Sequence, residues 1–193
     1  MSLAMFLASG TKFAVSIGSS VTRLADVNLD IRRKVLPDIV ADACHLPLRP
    51  EIADCVIFTD VVEHLPRGKE REAFSEIFRI LRSGARAVIS TPSATPLFKV
   101  LDPSWYISGH RHCSIPSLIE MIEESGLTCT LRFEAGFLAS MLGVLWYSLV
   151  SYPAKRLLRA SVPYSPRILR RQEEKEYRLV GKGRYTIFVI AQK

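Results

Sequence analysis

Asp54-Cys55-Val56-Ile57-Phe58-Thr59-Asp60-Val61-Val62-Glu63-His64-Leu65 is an apolar run that stops abruptly in two acids and a histidine. Read as a buried strand, it delivers Asp60, Glu63 and His64 to its carboxyl edge. An all-parallel sheet is covered on both faces. Its central strands therefore read as continuous rather than alternating apolar runs, and ligands gather beyond their carboxyl ends. The polar residues from Thr59 onward are the first place to look for chemistry.

Working outward, Lys12 to Ile17 (KFAVSI) reads as a strand ending in a tight turn at Gly18-Ser19-Ser20, and Ala25 to Asp30 as a second strand ending in an acid. A parallel crossover normally takes a dozen or more residues and a helix, so the short span between Gly18 and Asp30 predicts a stunted first crossover. Asp38 to Asp42 is a third strand, closed by a loop in which Pro47 and Pro50 forbid regular continuation. Downstream, Phe74, Ile77, Phe78 and Leu81 fall on one helical face within 68–82, with Ser83-Gly84 as the stop. Ala85 to Thr91 is a fifth strand. Leu118, Ile119, Met121 and Ile122 make an amphipathic helix of 115–125, Leu127 to Phe133 is a sixth strand, and Tyr185 to Ala191 a seventh.

This order predicts an α/β, Rossmann-like three-layer sandwich: a seven-stranded, mostly parallel sheet whose last strand is an antiparallel edge partner. At 193 residues one domain spanning 1–193 is expected, with a helical lid or insertion at about 135–180. The first half of that insertion is apolar on nearly every side. The longest such stretch, 136–150, falls short of the roughly 20 residues that span a bilayer. The N-terminus lacks basic residues ahead of its apolar stretch, a poor match to a signal peptide.

The net charge of +7 is unevenly placed: residues 1–150 hold 15 Lys/Arg against 16 Asp/Glu, and residues 151–193 hold 11 against 3. Such an excess suits an anionic neighbour such as phospholipid, nucleic acid or a phosphorylated substrate, or serves solubility alone. Cys44, Cys55, Cys113 and Cys129 show no C-x-x-C pairing. No metal site is expected, and a reducing, cytoplasmic compartment is the default.

Residues 38–93 carry several further strings in order: Asp38-Ile39-Val40-Ala41-Asp42-Ala43, Leu46-Pro47-Leu48, Asp54-Cys55-Val56-Ile57, Val61-Val62-Glu63-His64-Leu65, Glu76-Ile77-Phe78-Arg79-Ile80-Leu81, Gly84 and Ser90-Thr91-Pro92-Ser93. In that order and spacing they resemble class I AdoMet-dependent methyltransferases of the methyltransferase-11-like group. The resemblance extends through Gly109-His110-Arg111-His112 but leaves the insertion uncovered. It implies S-adenosyl-L-methionine as cofactor and S-adenosyl-L-homocysteine as product. It assigns Gly18 to the turn under the cofactor, Asp30 to the ribose hydroxyls, Asp42 with Ala43 to the adenine edge, and Thr59 with Asp60 to the methionine moiety and the methyl group. The family's turn carries two or three glycines; here Gly18 is single.

Each assignment has a plain structural counterpart. Gly18 could be an ordinary turn glycine, Asp30 an ion-pair partner of Arg32 or Arg33, and Asp42 a loop cap. Glu63 and His64 read as a catalytic pair, with His64 as base or orienter because imidazole titrates near neutrality, or as residues that fix the loop. Trp105, Tyr106, His110 and His112 lie in a long loop suited to substrate contact.

Three functions follow from this reading. The first is methyl transfer to a small, hydrophobic or amphipathic acceptor. The second is a non-catalytic module that keeps the fold for interaction. The third is nucleic-acid methylation through the basic C-terminal region, which ranks last because no dedicated nucleic-acid motif is present. Aromatic and cationic residues of 137–171 also suit peripheral contact with an anionic membrane. The oligomeric state is not legible.

Overall fold

The computed structural model describes residues 8, 10–18, 23–95, 111–157, 162–163, 165–178 and 181–193. Seven strands form one sheet: β1 (Ala14–Ile17), β2 (Val27–Asp30), β3 (Ile39–Val40), β4 (Ala53–Thr59), β5 (Leu81–Pro92), β6 (Thr128–Ala135) and β7 (Thr186–Gln192), in the order β3-β2-β1-β4-β5-β7-β6. The sheet is flanked by helices, as the sequence predicts. Strands β1 to β5 pair in parallel. β7 runs antiparallel: Gly84 N–H donates to the Lys193 carbonyl at one end of β5, and Ser93 N–H to the Tyr185 carbonyl at the other. It is not the edge strand expected from its late arrival. β7 lies between β5 and β6, which fits its nearly continuous burial, and the more exposed β6 takes the edge.

The chain divides into two compact units, 1–91 with 115–132 and 188–193, and 92–114 with 133–187. In the first, β4 is buried on both faces. Phe58 meets Phe74 of α1 (Glu70–Ile80) edge to face at 6.0 Å on one side, an arrangement that aromatic quadrupoles favour. On the other side Cys55 and Ile57 join Ala8, Ala14 and Val88, with Leu24 and Ala25 packed against them. α1 ends two residues earlier than the sequence suggests, because Leu81 already pairs with Ala53. A register shift between Ala53 and Cys55 then absorbs Gly84. α1 also contacts α2 (Ile115–Glu123), whose Leu118 and Ile122 are fully buried.

The first crossover is as short as expected: residues 18–26 connect β1 to β2, and none of the described ones is helical. Asn28 does the work a helix would do. Its buried side-chain oxygen accepts the N–H groups of Leu24 and Ala25, while its amide nitrogen donates to the Ala25 carbonyl and to Asp38. Asp26 accepts Ala14 N–H at 2.8 Å, which satisfies the first amide of β1.

In the second unit, α3 (Leu138–Trp146), a π-helical turn (Tyr147–Ser151) and α4 (Tyr152–Leu157) follow one another directly, and α5 (Arg167–Arg178) packs on α3. Glu176 of α5 accepts the N–H groups of Phe137 and Ala139, so a carboxylate from another helix caps the positive end of α3. Glu173 and Glu176 are half-buried, and burial, the largest cause, pushes the Glu173 carboxyl up.

Candidate functional site

Parallel register brings three strand ends level in the first unit. Ile17 pairs with Leu29, which sets Gly18 beside Asp30; Ser16 pairs with Ile57, which sets Gly18 beside Thr59. The order reverses here, since β2 and β4 flank β1, and crevices at such switch points are where open α/β sheets take ligands. Gly18 N–H donates to the Leu29 carbonyl at 2.7 Å. Its φ of +75° suits glycine, and a Cβ there would come within 2.4 Å of a Val61 methyl.

Asp30 is buried, and both its oxygens are engaged by Arg32: Oδ1 accepts from the backbone N–H and Nε, Oδ2 from the guanidinium at 2.9 Å. The ion-pair reading of Asp30 is thus realised. Arg32 itself is half exposed, and the adjoining Ile31 is 65% exposed, an apolar side chain left open beside the acid. Asp42 is exposed and accepts Cys44 N–H at 2.9 Å, closing an Asx-type turn with Ala43 buried inside it. The Cys44 thiol, buried and beside Asp42, is pushed up to about 11 and stays protonated at neutral pH.

Two hydroxyls of β5 pin the loop after β4. Ser90 Oγ donates to Asp60 Oδ1 at 3.0 Å, and Thr91 Oγ1 to the buried Glu63 at 3.1 Å. Asp60 has φ +55°, a left-handed conformation that Asp tolerates better than most residues and that clusters at functional sites. Glu63 therefore holds the 3₁₀ turn Val62–His64 against β5, while His64 is exposed at the sheet edge. In the second unit His112 is buried, with Nδ1 2.8 Å from the Ser93 carbonyl. A carbonyl only accepts, so Nδ1 carries the proton. Trp105, Tyr106 and His110 lie outside the described residues. Among the described residues no group of three or more His, Cys, Asp or Glu side chains is placed to hold a metal ion, and the four cysteines form no disulfide with one another.

The sequence reading names Glu76 and Arg79 as part of a motif without giving them a role. The Arg79 guanidinium donates to the carbonyls of Leu46 and Leu48 and to Glu76, and Glu76 accepts Leu46 N–H. This clamp fixes the loop that follows Asp42 and Ala43. Arg79→Ala is expected to lower stability by about 2 kcal/mol, the net worth of a small set of charge-assisted hydrogen bonds. Arg79, ahead of the Leu46 N–H, holds the Glu76 carboxyl below its ordinary 4.5. A lowered folded-state pKa contributes stability above the ordinary value that is lost as pH falls through the lowered one. The gap between wild type and Arg79→Ala in denaturant titrations should therefore narrow in acid; a gap that widens there contradicts the clamp.

Residues 4–89 match the model of a methyltransferase domain family. No curated protein sequence matches the chain. Among solved structures, an S-adenosylmethionine-dependent methyltransferase from Archaeoglobus fulgidus superposes with a TM-score of 0.64 at 16% identity, covering 99% of this chain and 91% of that one. Phosphoethanolamine N-methyltransferase 2 of Haemonchus contortus, in complex with S-adenosyl-L-methionine, gives 0.60 at 15% identity, over 99% of this chain and 51% of its own. The 4+2 cyclase SpnF gives 0.58 at 13%, over 93% and 74%. The match of residues 4–89 and the shared sheet bear out the resemblance to class I methyltransferases. At these identities the structural likeness concerns the fold, and one fold hosts several chemistries.

Proposed function

We propose that this chain, whose residues 4–89 match the methyltransferase domain family, uses S-adenosyl-L-methionine to methylate a small hydrophobic or amphipathic acceptor and releases S-adenosyl-L-homocysteine. The observation that carries the reading is the alignment of Gly18, Asp30 and Thr59 at one level on adjacent parallel strand ends. The residues present suit the cofactor. A side chain at Gly18 would fill the turn, the buried Asp30 carboxylate would offer acceptors for a diol once the Arg32 guanidinium withdraws, and exposed Ile31 offers apolar surface to a purine. When bound, the cofactor supplies an electrophilic methyl group on a sulfonium.

The chain's own residues do the rest. Arg32, half exposed, swings its guanidinium to water and opens the Asp30 carboxylate to the two ribose hydroxyls. Asp42 and Ala43 take the adenine edge, and Thr59 and Asp60 flank the methionine moiety. Glu63 positions the turn that presents His64, which receives or orients the acceptor's proton. Trp105, Tyr106, His110 and His112 are assigned to acceptor contact, and the insertion at about 135–180 to acceptor choice. Transfer to a good nucleophile asks mainly for in-line alignment and exclusion of water.

Asp30→Ala is expected to weaken S-adenosyl-L-homocysteine binding at least tenfold in calorimetry, about 1.4 kcal/mol. Unchanged affinity contradicts the ribose assignment. The second reading, a non-catalytic module of the same fold, is favoured by the occupation of Asp30 by Arg32 and by the single glycine at the turn. Absence of cofactor binding in the same titration on folded wild type would sink methyl transfer and leave this second reading.

A further inference from the structure

The helical run 138–157 is built inside out. Its buried positions are small: Ala139, Ser140, Gly143, Ser148 and Ser151. Several of its large apolar side chains face outward instead, with Leu138 50%, Leu142 38%, Leu149 71% and Leu157 77% exposed, while Met141, Val144, Leu145 and Trp146 are partly buried. Leu138, Leu142 and Leu149 recur at i, i+4 and i+11, one stripe of a helix surface. A surface helix of a water-soluble fold normally turns its large apolar residues inward and its polar ones out. Small inward residues let α3 approach α5 closely, and they leave the leucines without cover.

Charge indicates what covers them. Residues 137–172 contain Lys155, Arg156, Arg159, Arg167, Arg170 and Arg171 and no Asp or Glu. Five of these six cations are exposed, and Arg159 lies outside the described residues. Lys155 stands over the Tyr147 ring at 5.9 Å, and Tyr147 is paired with Tyr152 at 6.3 Å. A second copy of this face would bring cations against cations, which disfavours self-association. An anionic lipid interface offers apolar depth for the leucines and negative headgroups for the lysine and arginines. Among the described residues no helix is long and apolar enough to cross a membrane, so contact with lipid would lay the run along the interface.

We infer that residues 138–157 and 167–171 dock this protein on anionic phospholipid surfaces through the Leu138, Leu142 and Leu149 stripe and its cationic border. The inference stands independently of methyl transfer. The full chain is sedimented with phosphatidylcholine vesicles with and without phosphatidylglycerol. Binding to the anionic vesicles is expected to be at least tenfold tighter and to weaken with salt, each basic side chain near the surface being worth about fivefold. Leu142→Glu with Leu149→Glu, both exposed and so tolerated by the fold, should lose at least tenfold, as should Lys155→Glu with Arg156→Glu. Circular dichroism of each variant verifies the fold. Absent or charge-independent pelleting overturns the inference. So does a concentration-dependent dimer that the leucine substitutions abolish, which would mean that a second copy covers this face.

Discussion

Gly183→Ala is expected to be the most damaging small substitution in the molecule, costing at least about 3 kcal/mol. A Cβ at Gly183 would come within 2.3 Å of the Ala135 carbonyl carbon, 2.4 Å of Gly136 N and 2.5 Å of Ala135 Cα. All three are backbone atoms, so no rotamer change relieves the contact. The chain must shift where Gly136 accepts the N–H groups of Arg184 and Tyr185 and where Gly181 donates to Glu134. The next amide, Phe137 N–H, belongs to the Glu176 cap of α3, so the distortion reaches the start of that helix. Melting should fall by roughly 6–12 °C for a chain of this size, with exchange fastest at the amides of Arg184 and Tyr185. A variant that melts like wild type contradicts the packing at the end of β6.

Gly18→Ala is the second large effect, about 2–3 kcal/mol. An L-residue at φ +75° bears roughly 1 kcal/mol of backbone cost. The remainder comes from the 2.4 Å overlap with a methyl of Val61, whose branched side chain is stiff about χ1. Val61→Ala removes the obstructing methyl. The double variant should therefore be less destabilised than the sum of the two single changes, a coupling that a double-mutant cycle reads directly. Simple additivity would show that the turn and the loop after β4 do not touch.

The parts of the fold legible from sequence are those in which local pattern and burial agree. β4 is continuous and apolar because both its faces are covered, and α1 shows its buried Phe74 and Ile77 at helical spacing. The position of β7 was not legible, because its apolar run reports burial but not its neighbours. In the site, Gly18, Asp30 and Asp42 could be found at strand ends, yet the partners that fix the loop after β4 could not. Thr91 reaches Glu63 across 28 residues and Ser90 reaches Asp60 across 30, and no local periodicity encodes such pairs. Arg32 was legible as one of two candidate ion-pair partners of Asp30, beside Arg33; its bidentate grip depends on the backbone turn between them. The inverted face of 138–157 was hidden because the segment is apolar on nearly every side, and only tertiary packing, with Ser165 beside Gly143 and α5 against α3, separates inward Gly143 from outward Leu142.

Cofactor binding is the claim on which the functional account rests. Calorimetric titration of the folded wild-type chain with S-adenosyl-L-homocysteine tests it most directly. Saturable one-to-one binding is the expected result, with Arg32 released from Asp30 as the ribose enters. Heats of dilution alone at about 1 mM ligand, where even a 4 kcal/mol interaction registers, would contradict it and leave a methyltransferase fold put to another use.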